Sequence, residues 1–515
     1  MSVKKFIRRN IYRWHRVTSL VVAIPVLLWT VSGFLHPVMN SFKPEVNNQY
    51  LPSAVIDTAK VKRSLKEVLE LHQIPRIKTF HIVDVYGAPY YQIIHEGRDT
   101  LSYISCYNGQ FLLNGDQQYA SYLAQRFLTD PAGTKEKEDH HGIAADLSAL
   151  VRRPMSMSSH KKYNISDVEL ITAFNTEYKK SNVLLPVYRV QFDREDGIRL
   201  YIETSTGKLA AAVDYRKAWF TRFFSLTHTW SFLDGLGAGK TVLLFGFSLL
   251  CFLTSLFGFY IYNLTKSKTA SSAGRRTHRI AGNIFVLTTL LYSFSGAWHS
   301  MHKLNKNDKT STESYSLFSA NELDLPIKEL ASKLGKGEKL TDVSIIPMKG
   351  VHYWQLGISK GKQKQKRYFE CNRLVELKNG DEEYARHLAA LFSGKAVEEV
   401  QSARLLTSFN HHYSMMNKRL PVFEVRFANS ERYYVETATG KLALLSRPVD
   451  RAERFSFSNL HMHHYWEMWL GKKKGKPVKN LVLISSTLGL LMLALTGIQL
   501  YRQKQLKKAR MMANA

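Results

Sequence analysis

The chain of 515 residues is poor in cysteine, with three, and poor in acid, with 42 Asp and Glu against 72 Lys and Arg. Three cysteines cannot build a disulfide framework, and no four-thiol zinc or iron–sulfur site can close. Cys106 and Cys371 occupy matching strands of different halves and read as independent buried thiols, while Cys251 falls inside an apolar run. Nucleotide fingerprints are missing as well. The glycine-rich run from Gly235 to Thr241 has Asp234 where a phosphate loop needs its first glycine. No nicotinamide or flavin domain fits the short basic segments, so a redox protein of this sequence takes its electrons from a quinol or a separate donor.

Charge is absent from four long stretches, Thr18 to Leu35, Thr241 to Tyr262, Ile280 to Ala297 and Leu481 to Tyr501. Each is apolar for about the ~20 residues a helix needs to cross a bilayer. The first lacks a small-residue cleavage site and reads as a retained anchor, not a signal peptide. Acid is absent where base is dense: segments 1–16, 264–279 and 502–515 hold 6, 5 and 5 Lys and Arg and no Asp or Glu. By the positive-inside rule these three are cytoplasmic. The expected order is a cytoplasmic N-terminus 1–16, membrane helix 17–38, outer domain 39–239, helix 240–263, cytoplasmic loop 264–279, helix 280–300, outer domain 301–478, helix 479–501 and cytoplasmic tail 502–515. The outer domains carry net charges of +2 and +10. The formal net charge of +30 is thus mostly membrane topology, and nucleic acid drops out as a partner.

The halves are copies. Leu185 to Tyr188 (Leu-Pro-Val-Tyr) matches Leu420 to Phe423, and Glu203 to Ala210 (Glu-Thr-Ser-Thr-Gly-Lys-Leu-Ala) matches Glu436 to Ala443. Phe174-Asn175 and Tyr178 match Phe409-Asn410 and Tyr413, and Ser32-Gly33 matches Ser295-Gly296. Alternating runs such as Val187 to Phe192 and Leu200 to Glu203, closing on Thr-Gly turns, read as hairpins. The polar stretch from Ile165 to Lys179 reads as a helix feeding them. Weaker copies around Tyr103 to Leu112 and Tyr368 to Leu377 make two small α+β modules per outer domain. The fold class is an α+β membrane protein with four transmembrane helices, two outer domains of such modules and an internal duplication.

The Tyr-x-Glu-x-x-Thr-Gly-Lys turns, Leu-Pro-Val-aromatic strands, paired helices and His-Arg at the start of the first and third helices resemble the PepSY-associated transmembrane proteins. The resemblance covers essentially the whole chain. It implies PepSY-like modules in the periplasm of a bacterial inner-membrane protein. It further implies kinship with ferrisiderophore reductases that carry two b-type haems. PepSY modules are also tied to inhibition of extracytoplasmic peptidases, which leaves a competing reading: a non-enzymatic anchored protein that binds a peptidase or another envelope partner.

Histidines at the helix ends discriminate between these. His15 and His278 open the first and third helices, His36 and His299 end them, and each pair of ends is 21 residues apart. His228 and His461 precede the second and fourth helices with the same offset, 233, as the Thr-Gly turns. A haem iron in a helical bundle takes two neutral imidazoles from opposite sides, which related helices supply across a pseudo-two-fold axis. Twenty-one residues at ~1.5 Å each is about 31 Å, close to the hydrocarbon thickness, so one helix can present a ligand at each face. The plain alternative is interfacial histidines in basic flanks, but an anchor has no reason to keep six in matched places. His15 with His278 is the expected inner pair. At the outer face His36 with His299, His228 with His461, or a crossed pairing all remain open. His463 and His464, beside Glu467, read as a surface site for iron or a ferric chelate. The pairs His411-His412 and His140-His141 read as surface residues. The aromatic residues around Trp219 to Phe232 and Phe455 to Trp469 read as an interfacial belt.

Overall fold

The structure, a computed structural model, describes residues 3–97, 100–130, 163–264, 273–305, 316–361 and 363–513. The first half runs α1 (Val3–Phe34), α2 (Leu65–Leu71), β1 (Arg76–Val85), β2 (Ala88–His95), β3 (Leu101–Ser105) and α3 (Gly115–Thr129). It continues with β4 (Ile165–Ile171), β5 (Val187–Phe192), β6 (Arg199–Glu203), β7 (Lys208–Val213), α4 (Tyr215–Thr227) and α5 (Ala238–Leu264). The second half opens with α6 (Ala273–Asn305), β8 (Phe318–Ser319), α7 (Ile327–Ser332), β9 (Lys339–Met348), β10 (Val351–Lys360) and β11 (Gln363–Glu370). Then come α8 (Gly380–Ser393), β12 (Val400–Leu406), β13 (Val422–Phe427), β14 (Arg432–Glu436), β15 (Lys441–Ser446), α9 (Pro448–Ser456) and α10 (Tyr465–Ala513).

Helices α1, α5, α6 and α10 are each long and apolar enough to cross a bilayer, which makes this a multi-pass membrane protein. Their main packings run around a ring, α1 on α5, α5 on α6, α6 on α10 and α10 on α1, so α1 and α6 stand diagonally. Helix α1 ends at Phe34, and His36 opens a 3-10 turn, His36–Phe42, whereas His299 is still inside α6. Helix α10 is broken at Gly471, whose φ of 72° and ψ of 159° suit only glycine.

Among the described residues the extramembrane part holds four antiparallel sheets. The proximal hairpins, β1–β3 and β9–β11, share one core in which Phe80 meets Trp354 edge to face, 6.2 Å between ring centres. The strand β8 of the second half pairs with β1 of the first, so these two modules are one body. The distal sheets, β4–β7 and β12–β15, are each covered by the preceding helix, α3 or α8. Those helices begin at Gly115 and Gly380 because a Cβ there would come within 2.7 Å of the Tyr103 and Tyr368 side chains. Beside each glycine lies the same buried network. Gln92 donates to Tyr103 (2.6 Å) and to the Thr204 carbonyl (3.1 Å), and Tyr103 donates to Asp116 (2.8 Å). Gln355, Tyr368, Thr437 and Asp381 repeat it at 2.6, 2.9 and 2.7 Å. Each network ties a proximal hairpin to a distal one, since Thr204 and Thr437 sit in the Thr-Gly turns.

One expected element is different. Ile165 to Lys179 does not form a helix: Ile165–Ile171 is β4, paired with β5. A bulge between Ile165 and Asp167 inserts one residue. It places Ile165 and Val168, three apart, against the same core, a spacing that imitates a helix. The cysteines are free; Cys106 is buried and Cys371 half-buried, and both pack on the shared proximal core.

Candidate functional site: two facing histidine pairs

His15 on α1 and His278 on α6 meet across the diagonal of the helix ring, with ring centres 6.5 Å apart. Nδ1 of His15 donates to the Thr254 carbonyl at 3.1 Å, which fixes the tautomer and leaves a lone pair on Nε2. Nδ1 of His278 lies 3.0 Å from Thr496 Oγ1, a hydroxyl that gives its own proton to the Met492 carbonyl and therefore accepts. Both imidazoles thus present Nε2 as a base. Each also lies over a glycine: a Cβ at Gly258 would stand 3.2 Å from His15 Cε1, and one at Gly497 would stand 3.5 Å from His278 Cε1.

At the domain-facing end the structure brings His228 and His461 together, ring centres 6.3 Å apart. Nδ1 of His228 is 2.9 Å from Ser32 Oγ, which itself donates to the Leu28 carbonyl, so again Nε2 keeps its lone pair. In the second half the equivalent atoms, Ser295 Oγ and His461 Nδ1, are buried and lack that side-chain bond. Phe224 stacks on His228 at 4.7 Å and Phe457 on His461 at 4.9 Å, each four residues ahead of its histidine. Burial first, then the nearby His36, lowers the His228 pKa to about 4. Burial, then His228, His36 and His299, lowers that of His461 to about 3. Both are neutral imidazoles at ordinary pH, the form that binds a metal.

Two imidazoles that share one iron through bonds of about 2 Å place their ring centres about 6 Å apart. Both observed separations match, and the anchored Nδ1 atoms supply the second sphere that metal-bound histidines use. The residues therefore fit a bis-histidine haem at each end of the ring.

The other sequence candidates take other partners, although His36 and His299 still lie close to the outer pair. His299 Nδ1 pairs with Glu453 at 2.5 Å, and His302 with Asp450 at 3.1 Å, which pins α9 to the end of α6. His36 has its ring 6.3 Å from Phe224, beside the outer pair without facing His299. His463 is fully buried and bonds Tyr292 OH at 3.0 Å, while His464 meets Glu467 at 3.2 Å, so the two rings serve different partners. Among the described residues no group of three or more His, Cys, Asp or Glu is placed to hold a metal ion. His411 and His412 are exposed, and His140-His141 lies outside the described residues.

Above the outer pair opens a cavity of 3040 Å³, far larger than an ordinary small-molecule pocket. Ser458, Asn459 and His464, which flank His461, line its floor, and Lys208, Lys366 and Arg454 are among its cationic walls.

The supporting residues were not singled out in the sequence, although one signal for them was present. The repeated Ser-Gly of Ser32-Gly33 and Ser295-Gly296 supplies a close helix crossing in both halves and, through Ser32 alone, a histidine anchor. A Cβ at Gly33 would stand 3.0 Å from Thr487 Cγ2, and one at Gly296 would stand 3.2 Å from Ser248 Oγ. Fold and site together define a duplicated four-helix membrane protein with paired histidines at both ends of its ring. The chain belongs to the PepSY-associated TM region family, whose model matches residues 12–504. No curated protein matches it in sequence.

Proposed function

We propose that this protein is a di-haem b electron carrier of a bacterial inner membrane that reduces a ferric chelate, such as a ferrisiderophore, in the periplasm. The observation that carries the reading is the pair of facing histidine couples, His15 with His278 and His228 with His461, at opposite ends of one helix ring. Haem b at each couple would supply one-electron redox chemistry within reach of both membrane faces. The protein's own part would be to hold His15, His278 and His228 by Nδ1, to stack Phe224 and Phe457 on His228 and His461, and to keep the two outer imidazoles neutral. By the positive-inside rule, the basic segments 1–16, 264–279 and 502–515 favour cytoplasmic termini with the PepSY modules outside. A quinol or a separate donor supplies the electrons.

The substrate class follows from the family resemblance, and the cavity supports it. Its eight lysines and arginines outnumber its six carboxylates, a balance that favours an anionic chelate, and its floor is formed by the neighbours of His461. Ferrous iron binds hard oxygen donors more weakly than ferric iron, so reduction there releases the metal.

The test is a dithionite-reduced minus oxidised spectrum of the detergent-purified protein, with haem quantified per chain, on wild type, His15→Ala and His278→Ala. About two b-type haems, one of them lost in each variant, is the expected result. Release of Fe(II) from a ferric chelate on reduction is the next assay. A chain that stays colourless with haem supplied would leave an anchored binding protein in place of a reductase.

A further inference from the structure

The entries to α5 and α10 are built alike and differ in length. Asp234 pairs with Lys240 at 2.5 Å across the start of α5, and Glu467 pairs with Lys479 across the first turns of α10. Both carboxylates stand six residues after the outer histidine of their half, which makes the two pairs equivalent. Between them the first half has Gly-Leu-Gly-Ala-Gly, and the second has Met-Trp-Leu-Gly-Lys-Lys-Lys-Gly-Lys-Pro-Val. The second half therefore carries six extra residues between fixed ends.

Two glycines shape this insert into a knob. Gly471 provides the turn that breaks α10, and a Cβ at Gly475 would collide with the Trp466 and Glu467 backbone, so the chain folds back on its own first turn. What the knob shows to solvent is amphipathic. Trp469 is 73% exposed, and Met468 and Leu470 are exposed beside it. Lys472, Lys473 and Lys474 are exposed as well, and among the described residues none of them pairs with a carboxylate.

Its height is set by the helix. Lys474 lies seven residues before Leu481, where the uncharged run begins, or about 10 Å at ~1.5 Å per residue. That is the polar headgroup region, within a lysine's reach of the phosphates. Exposed tryptophan and lysine at this level are the pairing that anchors a chain in an interface.

We propose that the Met468–Lys476 knob binds the headgroup phosphates of anionic phospholipids in the leaflet facing the domains, with Trp469 and Leu470 set in the interface. An acidic protein partner is disfavoured because it would meet the apolar side chains at bilayer height. Met468, Gly471 and Lys472 also line the large cavity, so the bound lipid forms part of the cavity's lower rim.

The test uses the full-length protein in mild detergent, titrated separately with phosphatidylglycerol and phosphatidylcholine, with retained lipid counted by native mass spectrometry. Wild type is expected to retain phosphatidylglycerol several-fold over phosphatidylcholine. Combined Lys472→Gln, Lys473→Gln and Lys474→Gln should remove the preference, while Lys333→Gln with Lys336→Gln, on the distant proximal module, should keep it. Trp469→Ala should lower retention of both lipids. Equal retention of the two lipids by wild type, or an unchanged preference in the triple variant, would overturn the proposal. The readout does not depend on haem, so a colourless protein that still prefers phosphatidylglycerol leaves it standing.

Discussion

The two halves of the outer site descend from one sequence, and their differences are more informative than their agreement. Trp230 and His463 hold equivalent places and share a left-handed backbone, with φ of 51° and 54°. In the first half Trp230 stacks on Trp29, ring centres 5.3 Å apart; in the second His463 bonds to Tyr292, the equivalent of Trp29. One side of the outer pair is therefore walled by apolar rings and the other by a hydroxyl and an imidazole. The distal modules diverge in the same way. Leu184 in the first half corresponds to Arg419 in the second, which reaches Glu436 at 2.6 Å and Glu203 of the other half at 3.2 Å. Tyr178 and Tyr413 hold the backbone of these two residues identically, at 2.7 and 2.8 Å. The duplication has kept the facing histidines, stacks and turns, and has varied the groups that join the halves or surround the histidines.

The largest expected effect comes from making the halves alike at the clamp. Arg419→Leu leaves two buried carboxylates without their guanidinium and should cost on the order of 3 kcal/mol in unfolding experiments. Burial alone would raise the Glu436 pKa, but Lys208 and Arg419 outweigh it and hold it well below the usual carboxylate range. The linkage has the sign of a depressed acid. The stabilisation is complete above the unfolded value of about 4.3 and is lost as pH falls through the folded one. Unfolding midpoints of wild type and Arg419→Leu should therefore begin to converge as pH falls below about 4 and keep converging toward the folded value, and parallel curves would contradict the clamp.

Next in size is Tyr292→Phe, which strips the hydroxyl from buried His463 and should cost about 1–2 kcal/mol. Trp29→Phe, at the matching place, keeps an apolar stack and should cost less, as measured by thermal unfolding. The smallest effects are expected at the glycines under the inner pair. Gly258→Ala brings a methyl within 3.2 Å of His15, whereas Gly497→Ala leaves ordinary contact with His278 at 3.5 Å. Haem occupancy of the inner pair should fall more in the first variant than in the second.

Much of this was legible in the sequence because duplication doubles each signal. The uncharged runs, the shared offset of 233 and the 21-residue span located the helices, the repeat and all six histidines. Pairing at the outer face was not legible, because four histidines converge there and only the three-dimensional path of α4 and α9 sets His228 against His461. The β4 strand was hidden by its bulge, which gave Ile165 and Val168 a helical spacing. The shared core of the proximal modules joins residues of both halves, Phe80 and Trp354 among them, that no local pattern connects.

The di-haem proposal for the domain-facing end turns on whether His228 and His461 hold a haem. Haem should be quantified per chain in His228→Ala, His461→Ala, His36→Ala and His299→Ala, with reduced-minus-oxidised spectra to identify the species lost. The expected result is that His228→Ala and His461→Ala each lose one and the same haem of about two, while the other two variants keep both. Loss in His36→Ala or His299→Ala with retention in His228→Ala and His461→Ala would contradict the facing pairs as the binding site.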